Sequence, residues 1–119
     1  MKSHKDLEVW KESMNLVVDL YEITKSFPQE ERYGLTSQIR RSAVSIPSNI
    51  SEGAARRNTK EFIQFLYISL GSLAELETQI EIAQRIRLIA KTDEQNSKIY
   101  LIRAMLSNLI KSLNKKIQS

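Results

Sequence analysis

Residues 35–54 read LTSQIRRSAVSIPSNISEGA. Leu35, Ile39, Ala43, Ile46, Ile50 and Ala54 recur every three or four positions. At 100° per residue they fall within an arc of about 100°, the apolar face of a helix rather than the alternation of a strand. Pro47 stands inside this pattern. It deletes one backbone hydrogen bond, to the carbonyl of Ala43, which predicts a kink rather than a break. The hydroxyls of Ser42, Ser45 and Ser48 are near enough in sequence to relieve the orphaned group.

The same period extends outward. Before this helix, Ser26-Phe27-Pro28 interrupts the pattern, and Pro28 suits a first helical position, with Glu30 and Glu31 facing the positive end of the dipole. The second helix is therefore expected from Pro28 to Gly53 or Ala55. A first helix is expected from Asp6 to Ser26, with Trp10, Met14, Val17 and Tyr21 on one stripe and Leu16, Leu20 and Ile23 on another. So wide an apolar face suits a helix with two neighbours.

Downstream, Asn58 and Glu61 read as a capping box, with Thr59 as the alternative cap. A third helix is expected from Thr59 to Ile89, carrying Phe62, Leu66, Ser69, Leu73, Leu76, Ile80 and Ala83 inward. Gly71 in its middle implies a close backbone approach. Thr92 and Gln95 read as a further capping box. They open a fourth helix with Ile99, Ile102, Leu106, Leu109, Leu113 and Ile117 on its inner stripe. Long helices joined by short loops make antiparallel neighbours, so the fold class is all-α, an up-down-up-down four-helix bundle, and residues 1–119 form a single domain.

Composition agrees. The chain has 119 residues, 41% hydrophobic and 27% charged, with only 3 Gly and 2 Pro, too few for the turns of a β-rich fold. Leu and Ile together number 27 against four Val. No cysteine occurs, which excludes disulfides, thiolate metal sites and cysteine nucleophiles. His4 is the one histidine, so multi-histidine metal sites are excluded and a serine–histidine–acid triad is disfavoured. No cofactor is expected. Glu75, Glu77 and Glu81 lack the helical Glu-x-x-His of bundle di-iron sites and read as a solvated face. Trp10, Tyr67 and Tyr100 fit core or interface positions. No membrane span and no signal peptide is legible, so the expected compartment is the cytoplasm.

Net charge is +4, unevenly spread. Residues 32–60 hold six Lys/Arg against one acid, and residues 95–119 hold five against none, whereas residues 1–31 and 61–94 are each net −3. Such asymmetry points to an anionic partner. Arg40, Arg41, Arg56, Arg57 and Lys60 are the candidate nucleic-acid contacts; Tyr33 is the one aromatic close to them in sequence. Lys111, Lys115 and Lys116 suit a dipole-compensating helix end. On the second helix, Gln38, Arg41, Ser42, Ser45, Asn49 and Glu52 share an arc beside the apolar stripe. Short hydrogen-bonding residues there suit a polar network, inside the protomer or between subunits, for which Gln38, Ser45, Asn49 and Glu52 are the candidates. A solvated face is the alternative. Catalysis is disfavoured because no suitable general base accompanies Ser42 or Ser45.

The chain resembles the four-helix bundle family of proteins encoded in 23S rRNA intervening sequences, from about Leu7 to Leu113. The resemblance rests on the opening Asp6-Leu7-Glu8-Val9-Trp10 and on the long block from Tyr33 to Gly53. It extends through Phe62-Ile63-Gln64-Phe65-Leu66 and residues 71–78, GSLAELET. Ser51 departs from the pattern, where many members carry Ala. The resemblance implies a left-handed bundle assembled as a homopentamer. A related branch, the accessory protein of diversity-generating retroelements, is a basic pentameric barrel that binds nucleic acid and a reverse transcriptase. The resulting expectation is a non-enzymatic oligomer that binds RNA, DNA or a ribonucleoprotein. Its rival is a scaffold for a protein partner, recognisable by weak salt dependence.

Overall fold

In a computed structural model, the stripe from Leu35 to Ile50 is the inner face of a helix, with Ile39, Ala43, Ile46 and Ile50 wholly buried. The structure describes residues 3–118. Four helices are present, α1 (Glu8–Thr24), α2 (Leu35–Ala54), α3 (Thr59–Arg85) and α4 (Asp93–Gln118), with short 3-10 turns at His4–Asp6 and Gln29–Glu31. Each helix packs on two others, in the ring α1–α2–α3–α4–α1. Cross-links set the directions. Trp10 meets Ser51 while Thr24 meets Arg40, Ser42 meets Glu75 while Ser45 meets Ser72, and Gln84 meets Thr92 while Glu77 meets Arg103. Consecutive helices are therefore antiparallel, as the short loops require. The bundle is a rod of 51 × 22 × 19 Å.

Leu16 and Leu20 of α1, Leu66, Leu73 and Leu76 of α3, and Ile99, Ile102 and Leu106 of α4 fill the core. In α1 the Leu16–Leu20 stripe is central, whereas Met14 and Tyr21, expected inward, lie on the outer flank. In α4, Ile110 is buried in place of the Leu109–Ile117 line, whose last member is exposed. The reason is period: at 100° per residue, a strict 3–4 alternation drifts off the core over several turns.

The helix ends depart from expectation in ways the local chemistry explains. Pro28 does not open α2. It precedes a 3-10 turn, and the chain bends through Arg32–Gly34 before α2 starts. The Glu31 carboxylate then accepts the Leu35 amide at 3.1 Å, capping α2 from outside. Asn58 is the cap of α3, its Oδ1 accepting from the amides of Lys60 and Glu61. Helix α3 stops at Arg85, four residues early. Arg87 adopts φ 68°, and the Leu88 amide reaches back to the Ala83 carbonyl at 2.8 Å, a Schellman closure with arginine where glycine is usual. Thr92 does not cap α4 with its side chain. Its hydroxyl donates to Gln84 Oε1 and accepts from Asn96 Nδ2, and Gln95 is buried.

Helix α2 runs unbroken through Pro47. Side chains reinforce three successive carbonyls around it: Asn49 Nδ2 donates to Ser45, buried Ser69 Oγ of α3 to Ile46, and Ser51 Oγ to Pro47. The close backbone approach expected at Gly71 lies at Gly53 instead. A Cβ on Gly53 would sit 2.7 Å from Phe65 Cβ and 3.2 Å from the Phe62 carbonyl. A Cβ on Gly71 would meet nothing within 4 Å, because that residue is on the outer side of α3.

Candidate nucleic-acid interface

The polar arc of α2 divides between an inner seam and an outer rim. Ser45 Oγ and Ser72 Oγ of α3 are 2.8 Å apart, and Asn49 Nδ2 also donates to Ser45 Oγ at 3.0 Å. One turn away, Ser42 Oγ donates to Glu75 Oε1 at 3.3 Å. Ser45 and Asn49 thus belong to a hydroxyl-rich seam between α2 and α3 of one chain. Small side chains there let the two helices approach closely while their polar atoms stay bonded. Gln38 and Glu52 are not in the seam; both are exposed, and Glu52 faces Arg56 at 3.5 Å. Glu75 and Glu81 are exposed, as a solvated face requires, Glu77 is half-buried, and each has a partner. Glu75 holds Ser42, Glu77 pairs with Arg103 and Glu81 with Arg85, the pairs each at 2.8 Å.

The five candidate cations form two groups. Arg40 and Arg41 lie near the N-terminal end of α2, whereas Arg56, Arg57 and Lys60 surround its C-terminal end, roughly 20 Å away at 1.5 Å per residue. Within the first group Arg40 is fixed. Its Nε donates to Thr24 Oγ1 at 2.8 Å, its Nη2 to the Tyr21 carbonyl at 3.3 Å, and its guanidinium lies 4.5 Å from the Tyr21 ring centroid. Two of its five N–H groups are used in these bonds, which leaves three for a ligand. Arg41 is exposed and forms no ion pair among the described residues.

Beside Arg40 and Arg41 the surface sinks into an open basin of about 470 Å³, with Tyr21, Arg32, Tyr33 and Ser37 among its walls and no carboxylate side chain in its lining. Arg32 lies 5.5 Å from the Tyr33 ring centroid, and Tyr33 is 87% exposed. Tyr21 and Arg32 were not singled out from sequence. Tyr21 reads as one more apolar position of α1, and only the α1–α2 register brings it to Arg40. Three guanidiniums without a carboxylate favour an anion, and the rings interleaved with them offer apolar faces.

At the other end, Arg56 covers the Phe65 ring at 5.0 Å, and Arg57 and Lys60 are exposed without ion pairs among the described residues. Arg56 and Lys116 line one cavity of about 350 Å³ with Leu7, Phe62 and Leu113. The two basic stretches of the sequence therefore meet at this pole of the rod. A raised Lys98 pKa marks the α1–α4 side, caused first by its hydrogen bond to Asp19, against a smaller desolvation effect, with Glu94 adding to the rise.

Fold and surface together define a four-helix bundle with a hydroxyl-rich seam between α2 and α3 and cationic groups at both ends of α2. The chain belongs to the 23S rRNA-intervening sequence protein family, whose model matches residues 5–112. It is similar to a crystal structure from Bacteroides thetaiotaomicron, a protein of unknown function from the S23 ribosomal protein family. The two share 27% identity with a TM-score of 0.64, over 93% of this chain and 99% of that one. Comparison with curated proteins returns no match. Among the described residues, no helix is long and apolar enough to cross a membrane.

Proposed function

We propose that this protein is a non-enzymatic, cytoplasmic homo-oligomer that binds RNA or DNA, alone or within a ribonucleoprotein, through the cationic ends of α2. The carrying observation is that Arg41, Arg57 and Lys60 stand exposed with no acidic partner among the described residues. Phosphates supply the partner that the chain withholds, and repetition around an oligomer multiplies the field. Self-association is supported by α3, where Tyr67, Gly71, Ala74 and Thr78 share an exposed face of small and apolar residues at helical spacing. A homopentamer is the assembly the family resemblance implies, and a reverse transcriptase is the protein partner it suggests.

The test is fluorescence anisotropy against single-stranded RNA, duplex RNA and duplex DNA across a salt titration. Binding that falls steeply with salt supports the reading; no binding at low salt overturns it.

A second reading, a scaffold for a helical protein partner, is favoured by the apolar groove of about 300 Å³ between α1 and α2, walled by Trp10, Met14, Val17, Val44 and Pro47. Docking there would respond weakly to salt.

A further inference from the structure

We propose that the basin between the end of α1 and the start of α2 is a single-strand reading site: it takes one nucleotide unit, phosphate on Arg40 and Arg41 and base on the open face of Tyr33. This inference deepens the nucleic-acid reading above and rests on it.

The phosphate half follows from the guanidiniums. Arg40 is held before any ligand arrives, by Thr24, the Tyr21 carbonyl and the Tyr21 ring. A fixed guanidinium loses little freedom on binding and presents its remaining N–H groups as a ready fork. Arg41, next in sequence and without an ion pair among the described residues, and Arg32, which shares the lining, add further positive charge. Ser37 supplies a hydroxyl at the wall. With no carboxylate side chain in the lining, no internal anion competes for these donors.

The base half follows from Tyr33. Tyr33 is 87% exposed, and Arg32 lies over one face of its ring at 5.5 Å from the centroid. An exposed ring backed by a guanidinium is a stacking platform for any base. A base within a duplex is already stacked on both sides and cannot use it, so the site selects an unpaired nucleotide. The volume of about 470 Å³ lies within the range of small-molecule sites. The cationic pole at Arg56, Arg57 and Lys60 has no such exposed ring against it, since Phe65 there is covered by Arg56. That pole suits backbone phosphates of any strand.

The test uses the full chain and three variants, Tyr33→Ala, Tyr33→Phe and Arg41→Ala, each checked by circular dichroism. Binding to a single-stranded RNA, a single-stranded DNA and a duplex DNA of equal length is measured by anisotropy, and uridine monophosphate is titrated against the protein by NMR. Tyr33→Ala should weaken both single strands about ten-fold and leave the duplex unchanged. Tyr33→Phe should behave as wild type, since the ring is kept. Arg41→Ala should weaken single strands and reduce their salt slope by about 1. Shifts at Tyr33 with the monophosphate would show that the unit itself suffices; shifts absent with the monophosphate but present with the strand would assign the site to chains. Equal binding of single strands by Tyr33→Ala and wild type overturns the reading site while leaving general nucleic-acid binding in place. No binding of any nucleic acid by the wild type overturns both.

Discussion

The indole Nε1 of Trp10 donates to Ser51 Oγ at 3.0 Å, and the same hydroxyl donates to the Pro47 carbonyl at 2.9 Å. One serine therefore fastens α1 to α2 and braces the proline turn. Ser51→Ala leaves the indole N–H without that acceptor, a loss of about 1 kcal/mol, partly offset by alanine's better helix propensity. A net destabilisation of about 0.5 kcal/mol is expected in urea melts. Trp10 is the only tryptophan, so its emission should change as well.

Gly53 and Gly71 should respond in opposite directions. Gly53→Ala drives a methyl into Phe65 and the Phe62 backbone and should cost about 1–3 kcal/mol. Gly71→Ala meets nothing within the chain and should gain about 1 kcal/mol in denaturant melts at concentrations that dissociate any assembly. A loss at Gly71 under those conditions would contradict the packing of α3.

Arg87 holds a left-handed backbone that favours glycine, at φ 68°. Arg87→Gly should stabilise the chain by about 1 kcal/mol, read as a rise in thermal midpoint. No rise would mean that the α3 terminus does not adopt this closure.

Lys98 gives a pH dependence with a definite sign. Its folded pKa is raised, first by the hydrogen bond to Asp19, so its stabilising effect is complete below the ordinary lysine range. That effect is lost as pH rises through the raised value. As pH rises above the ordinary lysine value of 10.5, wild type should lose stability more steeply than Lys98→Met, monitored by thermal melts. Parallel profiles would exclude the pair from the stability of the bundle.

Arg56→Ala combined with Arg57→Ala should weaken nucleic-acid binding and reduce the magnitude of its salt slope by about 2, with subunit mass unchanged in sedimentation. Unchanged binding would remove this pole from the interface.

The inner face of α2 was legible because a helical stripe needs only local period: Leu35, Ile39, Ala43, Ile46 and Ile50 are all buried. The Asn58 cap was legible for the same reason, as its partners are two and three residues away. What escaped depends on register between helices. Arg40 reads as a free cation until α1 places Thr24 and Tyr21 against it, and Gly71 reads as a contact until α3 turns it outward. The basin is invisible for the same reason, being assembled from the end of one helix and the start of the next. The stop at Arg85 escaped because the residue that turns left-handed is an arginine, which carries no breaker signal.

The α2–α3 seam also bears on how the rod comes together. Its bonds join residues 33 or fewer positions apart, whereas the Lys98–Asp19 bond closes a span of 79. Closing the shorter spans costs less chain entropy, so hairpins between consecutive helices form first and α1 against α4 is the last joint to shut. Amide exchange should accordingly be slowest in the middle of α2 and α3, and the first breach under thermal or mechanical load should open along α1 and α4.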